Sequence, residues 1–421
     1  MAHRRPVRPR YLTTPDHTFG YGSRPLRIGV PTETAPGERR VALVPDIVRK
    51  LTQQGHEVVI EAGAGENAGL PDALFTEAGA TTGDAWGTEA VLKVVSPSEG
   101  EASRLNEGSI VIGFLAPLTD PEGIERLAQR HVTAFAMEKI PRISRAQSMD
   151  ALSSQATVSG YLAVLTAAEE LPRFFPMLMT AAGTTRPAQV LVLGAGVAGL
   201  QAIATARRLG AVVKAYDVRP ASASEVESLG AQFLKLTSVA SGAGEGGYAR
   251  ALTEDEQKAQ QAELSAHIAR HNVVITTAQV PGRRPPLLVT AETIAAMAPG
   301  SLIVDLAASA LGGNVAGSVP DQTIVTDNGV TIIGAPNLAS EVPTAASSAF
   351  SRNICAVLAH LVSDGELTID LDDEIAAGIV VTHGGAVVHP ALAPSAPGGA
   401  GVIDSSGTGS PQVTEEGKVQ V

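Results

Sequence analysis

The chain of 421 residues has a single cysteine, Cys355, which excludes an internal disulfide and any zinc site built on several thiolates. Aromatic residues supply only 3% of it against 44% hydrophobic residues overall, so a core has to be assembled from Ala, Val, Leu and Ile. That is the usual filling of sheets covered by helices. Positive charge is in deficit, and the net charge of -12 repels phosphate backbones and acidic lipid head groups alike. Nucleic-acid binding is therefore not expected, and small-molecule chemistry is favoured. Long apolar runs are missing as well. The window that comes nearest, 190–206, is broken by three glycines and Gln201, so no transmembrane helix or direct membrane insertion is expected. Residues 1–25 are rich in Arg and Pro but lack the apolar centre of a secretory signal, and they read as a disordered arm. A reducing, cytoplasmic setting fits the cysteine content.

The length favours two domains. From Leu26 to about Pro141, short Val/Ile-rich runs at 27–30, 57–61, 91–95, 109–114 and 133–137 alternate with helical stretches, a βα pattern. Between the first two runs, residues 46–54 predict an amphipathic helix with Ile47, Val48 and Leu51 on one face and Gly55 as its C-cap. Residues 146–170 contain no Gly or Pro except Gly160 and carry helical periodicity long enough to bridge two domains. A second βα series runs from Gln189 to about Asn337, with strands expected at 190–193, 212–216, 273–276, 302–305 and 331–333. The helix predicted from Ala345 to Val362 then returns to the first domain, with 383–390 in its closing segment. Beyond Ala393 the chain turns to Pro, Gly, Ser and Thr, which cannot bury enough surface to fold. The expectation is an α/β protein of two Rossmann-like, doubly wound parallel-sheet domains around a cleft. One comprises 26–145 with 350–392, the other 146–349, between the arm and a disordered tail, 393–421.

Gly194-Ala195-Gly196-Val197-Ala198-Gly199 follows a predicted strand and opens a predicted helix. In that context the glycines give a tight turn, close backbone approach to a pyrophosphate and close helix packing, and the helix N-terminus attracts the anion. Asp217 closes the next strand 18 residues beyond Gly199, where a carboxylate accepts hydrogen bonds from an adenosine ribose. This favours NAD(H) over NADP(H) as the cofactor of this domain, with Val218 and Arg219 beside it. Arg219 has two readings, a partner for a 2′-phosphate, which Asp217 opposes, or a surface cation paired with Glu225 or Glu227. A second feature is the polar run 141–155, at the junction of the two domains, where ligand clefts are common. Its periodicity equally fits a capped helix start in which Ser148 or Asp150 satisfies free N–H groups.

That run, together with Gly37-Glu38-Arg39-Arg40-Val41-Ala42-Leu43, Met179-Thr180-Ala181-Ala182-Gly183-Thr184 and 194–206, closely resembles the NAD(H)-binding component of the proton-translocating NAD(P) transhydrogenases. The resemblance spans about 27–392. It implies that Arg142, Gln147, Asp150 and Ser153 surround the nicotinamide. Gln147 would hold the carboxamide or ribose, Arg142 would clamp the cofactor, and Asp150 would fix Arg142 or the carboxamide. It also matches 242–248 to a mobile loop that closes over nucleotide with a tyrosine, Tyr248; glycines before a lone aromatic suit a hinged lid, or a surface loop whose tyrosine merely packs. Ala278 and Gln279, after a predicted strand, would line the same cleft. Hydride passing between two nicotinamides leaves no proton to move at the reacting carbons, so positioning and water exclusion matter most. The run 142–155 has no His, Lys or Cys, as an orienting site requires. The resemblance further implies NADP(H) on a partner domain, a membrane-spanning subunit that translocates protons, and a homodimer attached peripherally at the cytoplasmic face.

Alanine dehydrogenases resemble the chain across both domains as well. Their chemistry binds a carboxylate and moves protons with an arginine, a lysine, a histidine and an aspartate. Arg40 and Lys93 match the first two, but Phe114 stands where the histidine would be and Ser309 near the expected aspartate. For Arg40 and Lys93 a fold-maintaining ion pair is the preferred reading. Around 308–312 the chain also departs from the transhydrogenase pattern, being one residue longer and without the usual glutamate. His383 and His389 read as structural or surface groups, and no catalytic histidine is expected. A non-catalytic NADH-binding module is the remaining alternative.

Overall fold

The computed structural model describes residues 25–237, 254–280, 282–363, 366–367 and 369–392. Its first sheet uses β1 (Arg27–Val30), β2 (Glu57–Ile60), β3 (Thr81–Thr82), β4 (Ala90–Val95), β5 (Ile110–Phe114) and β6 (Thr133–Ala136). A separate hairpin follows, β7 (Leu178–Thr180) and β8 (Gly183–Thr185). The second sheet holds β9 (Gln189–Leu193), β10 (Val212–Tyr216), β11 (Gln232–Phe233), β12 (Val273–Thr276), β13 (Leu302–Asp305), β14 (Thr323–Val325) and β15 (Thr331–Gly334). After the short pair β16 (Val362–Ser363) and β17 (Glu366–Leu367), the chain rejoins the first sheet as β18 (Val380–His383) and β19 (Ala386–Val387).

The strand orders are β19-β18-β6-β5-β4-β1-β2-β3 and β11-β10-β9-β12-β13-β15-β14. From β6 across to β3 in the first sheet, and from β11 across to β15 in the second, every neighbouring pair is parallel, the doubly wound arrangement expected. Antiparallel strands enter only at the edges, where β18 joins β6, β19 joins β18 and β14 joins β15. β14, β19 and the two strands of the β7–β8 hairpin carry two or three residues each, too few for a period to register in the sequence. In each sheet the order reverses once, between β1 and β4 and between β9 and β12, and such reversals open a crevice beyond the carboxyl ends of the strands. The inner strands are apolar on both faces: Val273, Val274 and Ile275 in β12, and Leu302, Ile303 and Val304 in β13, are all buried.

Two long helices tie the sheets together. Ala151–Glu170 begins in the first core, with Ala151, and continues in the second, with Ala163, Val164 and Ala167. Gly160 lets it approach the helix Val197–Arg208, since a methyl group there would lie 2.1 Å from the Ala198 carbonyl oxygen. Pro343–Leu361 returns to the first core through Phe350, Ile354, Val357 and Leu361. Its Ser347 and Ser351 hydroxyls accept hydrogen bonds from the Val41 and Val44 amides at 2.9 and 3.1 Å. The two sheets also meet at their carboxyl ends. Leu118, after β5, sits against Gly282, after β12, so both crevices open on one cleft.

At the root of that cleft lies a buried ion pair. Arg40 donates to both carboxylate oxygens of Glu38, Nε to Oε1 at 2.7 Å and Nη2 to Oε2 at 2.6 Å. Its Nη1 reaches Gln155 Oε1 at 2.9 Å, and its Nη2 reaches Asn337 Oδ1 at 3.3 Å. Glu38 also accepts from the Ser340 hydroxyl at 3.0 Å. The first-sheet segment around Arg40 is thereby joined to the bridging helix and to the end of the second sheet. Burial alone would raise the Glu38 carboxyl, but the hydrogen bonds and charge of Arg40 outweigh it and hold the group below its ordinary 4.5.

Replacing Arg40 with Met strands a buried carboxylate, so the chain is expected to lose about 3–5 kcal/mol, read from urea unfolding by the fluorescence of the lone Trp86. The paired change Glu38→Gln with Arg40→Met should recover most of that loss. Because the Glu38 pKa is depressed on folding, its contribution is complete above the ordinary value and is lost as pH falls through the folded one. The stability gap between the native chain and the double variant should therefore close below about pH 4.5.

Candidate functional site

The turn after β9 has the shape a dinucleotide phosphate needs. Gly194 adopts φ 101°, and a methyl group there would lie 2.5 Å from Thr277 Oγ1; at Gly199 it would lie 1.8 Å from the Gly194 carbonyl oxygen. Both positions exclude side chains for packing reasons. Gly196 is different, for a methyl group there would meet nothing within 4 Å. It is the N-cap of Val197–Arg208 and supplies no side-chain cap, so the first amides of a 12-residue helix face outward beside open space. That is a cradle for an anion.

Asp217 closes the neighbouring strand and turns back to this corner. Its Oδ2 accepts from the Ala195 amide at 2.7 Å, and its Oδ1 accepts from the Arg219 amide at 2.9 Å and from Arg219 Nε at 3.0 Å. Burial opposes ionisation of Asp217, but these donors prevail and its pKa is lowered. Arg219 thus pairs with Asp217 itself, and not with Glu225 or Glu227 as one of its two readings had it. Its side chain remains 60% exposed against 7% for Asp217, so the arginine is the outer and the carboxylate the inner member of the pair. Val218 beside it is exposed. Across the turn, Ala278 is clamped by Asn314, whose side chain accepts from the Ala278 amide at 3.0 Å and donates to its carbonyl at 2.9 Å. Gln279 Nε2 donates to the Leu306 carbonyl at 2.7 Å.

The polar run lies at the start of the bridging helix. Residues Ser144–Met149 form a 3-10 helix, where a continuous α-helix from 146 was expected, and Asp150 is the N-cap of Ala151–Glu170. Its oxygens are occupied by Ser153, from the amide at 2.9 Å and the hydroxyl at 2.6 Å. No hydrogen bond or ion pair joins Asp150 to Arg142 among the described residues. The capping reading therefore accounts for Asp150 and Ser153, and Arg142 and Gln147 stand exposed. Since Gly160 of the same helix touches Ala198, the 1.5 Å rise per residue puts Asp150 roughly 15 Å from the glycine corner. Tyr248 and its loop lie outside the described residues.

The two cations shared with the alanine dehydrogenases are already engaged. Arg40 serves Glu38, as above. Lys93 is fully buried, with Nζ 3.1 Å from Glu33 Oε2 and 3.1 Å from Glu101 Oε1, and 5.3 Å from the Trp86 ring. Burial pushes the Glu33 carboxyl up; burial also acts on Glu101, but hydrogen bonds from Ser98 and the charge of Lys93 bring that carboxyl down. Phe114 packs on Phe350 at 5.2 Å, and Ser309 closes a tight turn on the Gly312 carbonyl at 2.8 Å. His383 Nδ1 meets Thr133 Oγ1 at 3.1 Å, and His389 Nδ1 accepts from the Ala391 amide at 3.2 Å. Asn314 and Thr277 escaped sequence reasoning, because an isolated polar residue after a strand carries no periodic signal.

Comparison with known proteins covers both halves of the chain. Residues 29–159 match the family model "Alanine dehydrogenase/PNT, N-terminal domain", and 163–390 match "Alanine dehydrogenase/PNT, C-terminal domain". An NAD(P) transhydrogenase subunit alpha chain of Rhodospirillum rubrum is 46% identical over 381 residues, covering 87% of this chain and 99% of that protein. The crystal structure of transhydrogenase from Sinorhizobium meliloti superposes with a TM-score of 0.76 at 43% identity, covering 87% of this chain and 99% of that one. Alanine dehydrogenase of Mycobacterium tuberculosis is 30% identical over 379 residues, with 87% and 96% covered.

The open space at Gly196 makes a test possible. A Gly196→Val chain should keep its melting temperature, since nothing in the fold is displaced, yet lose heat of NADH binding in calorimetry. A variant that binds as the native chain does would remove the cradle from the site.

Proposed function

The chain belongs to the alanine dehydrogenase/PNT family, and on that premise we propose that it holds NAD(H) while a hydride passes to or from NADP(H) on a partner domain. It is an oxidoreductase of the transhydrogenase branch. The observation that carries this reading over amino-acid oxidation is the state of Arg40 and Lys93. Each of these cations is satisfied by the chain's own carboxylates, so neither is available to a substrate carboxylate without stranding Glu38 or Glu101.

When bound, the nicotinamide supplies the hydride and accepts it back. The chain's residues bind, orient and keep water away. The uncapped amides after Gly196 receive the pyrophosphate, and Asp217 takes the adenosine ribose in exchange for Arg219. Arg142 and Gln147, whose side chains have no partner among the described residues, are free to hold the cofactor's nicotinamide end. Ser153 and Asp150 form the rigid cap behind them. No side chain in the run 142–155 has to give or take a proton. Tyr248 would close the site from its loop. Ala278 and Gln279, fixed by Asn314 and the Leu306 carbonyl, bound the opposite wall.

The partners follow from the same reading. NADP(H) would sit on a separate domain docked at the cleft, and a membrane-spanning subunit would couple transfer to proton movement. Among the described residues, no helix is long and apolar enough to cross a membrane. The chain would then sit peripherally at the cytoplasmic face. A homodimer is supported by exposed Met177 and Met179 beside exposed Phe174, around the hairpin that neither sheet absorbs. We also assign 26–145 with 350–392 to one domain and 146–349 to the other.

The test is to mix the purified chain with an NADP(H)-binding transhydrogenase component, supply NADH and an NADP analogue, and follow the nicotinamide absorbance. Hydride exchange is expected, with no NAD reduction by alanine. A Gln147→Asn chain should bind NADH normally and transfer hydride more slowly. Alanine-dependent reduction without a partner would contradict the proposal.

A further inference from the structure

The loop that carries Arg142 and Gln147 is held from behind by the return segment of the chain. Asn353 lies in the middle of Pro343–Leu361 and is buried, a costly place for an amide that is also a poor helix former. Both of its ends are used. Nδ2 donates to the Ser148 carbonyl at 2.8 Å, and Oδ1 accepts from the Ser154 hydroxyl at 2.7 Å. Ser148 is the next-to-last residue of the 3-10 helix, whose final carbonyls have no partner in the turn itself. Asn353 supplies one. A second tether sits three residues earlier. Asp373 takes Arg145 Nη1 at 2.7 Å, while its other oxygen takes His360 Nε2 at 2.7 Å and the Ala376 amide at 3.0 Å.

Gln147 therefore lies between two fixed points, Arg145 and Ser148, and both are fixed by side chains of the segment that returns to the first sheet. We propose that Asn353 and Asp373 are positioning residues for hydride transfer. They set the loop that presents Gln147 to the nicotinamide, without touching the nucleotide themselves. The inference rests on the transhydrogenase reading given above. The Asn353 tether is also continuous with the cleft root. Ser154 accepts from Gln155 Nε2 at 3.2 Å, and Gln155 accepts from Arg40. The loop's position is thus set by the same network that sets the two sheets.

Two variants test this. Asn353→Leu keeps the bulk and removes both hydrogen bonds; Arg145→Gln breaks the outer tether at a half-exposed side chain, where folding is not at stake. Each should lower the rate of hydride transfer to the NADP(H)-binding component by roughly tenfold, because small misplacements of reacting groups are costly in rate. NADH affinity by calorimetry should stay within about twofold, since the anion cradle and Asp217 are untouched. Amide hydrogen exchange across 144–150 should quicken in both. Unchanged transfer rates in both variants, or affinity and rate falling in step, would overturn the assignment. If the native chain binds NADH but transfers no hydride, the functional reading fails and this inference with it; if the native chain transfers and the variants match it, only the inference fails.

Discussion

Everything in the cleft depends on one buried ion pair, Glu38 with Arg40. Two charges removed from water are stabilising only when their geometry is close to ideal and their remaining hydrogen-bonding capacity is filled. Here the guanidinium meets the carboxylate with two parallel bonds and gives further hydrogen bonds to Gln155 and Asn337. Those partners belong to the bridging helix and to the end of the second sheet. The pair consequently fixes how the carboxyl ends of the two sheets face each other. It also engages a cation that, on the proposed reading, a substrate carboxylate would otherwise use.

The site divides its work along the length of one helix. At Gly160 the bridging helix braces the glycine corner, where the proposed function has open backbone amides and Asp217 receive the dinucleotide. At its N-terminus, roughly 15 Å away by the helical rise, the cap formed by Asp150 and Ser153 supports exposed groups suited to orientation. Contacts between distant parts of the chain hold the glycine corner, and a local helix cap stands behind the exposed Arg142 and Gln147 at the other end. Hydride transfer between two nicotinamides benefits from that division, because the nicotinamide must meet a second nucleotide while the rest of the cofactor stays bound.

Much of the fold could be read in the sequence. The inner strands are continuous apolar runs, and the glycine fingerprint sits between a strand and a helix, so period and punctuation agree. That Asp217 lies at the end of the strand beside the glycine corner was legible from its spacing. What escaped reading was tertiary. The pairing of Arg219 with Asp217, the clamp of Asn314 on Ala278 and the double use of Asn353 each join residues far apart in the chain or compete among equally plausible partners. The edge strands β14 and β19 are too short to show alternation. The 3-10 turn Ser144–Met149 has the composition of a helix, and its contacts with Asn353 and Asp373 come from a part of the chain too distant for a local pattern to show.

The central claim is that the glycine corner and Asp217 form a working dinucleotide site in the folded chain. Titration of NADH into the pure protein, followed by calorimetry, tests it most directly. The account predicts saturable heat that Asp217→Ala reduces. A folded chain that releases no heat at any NADH concentration would contradict it.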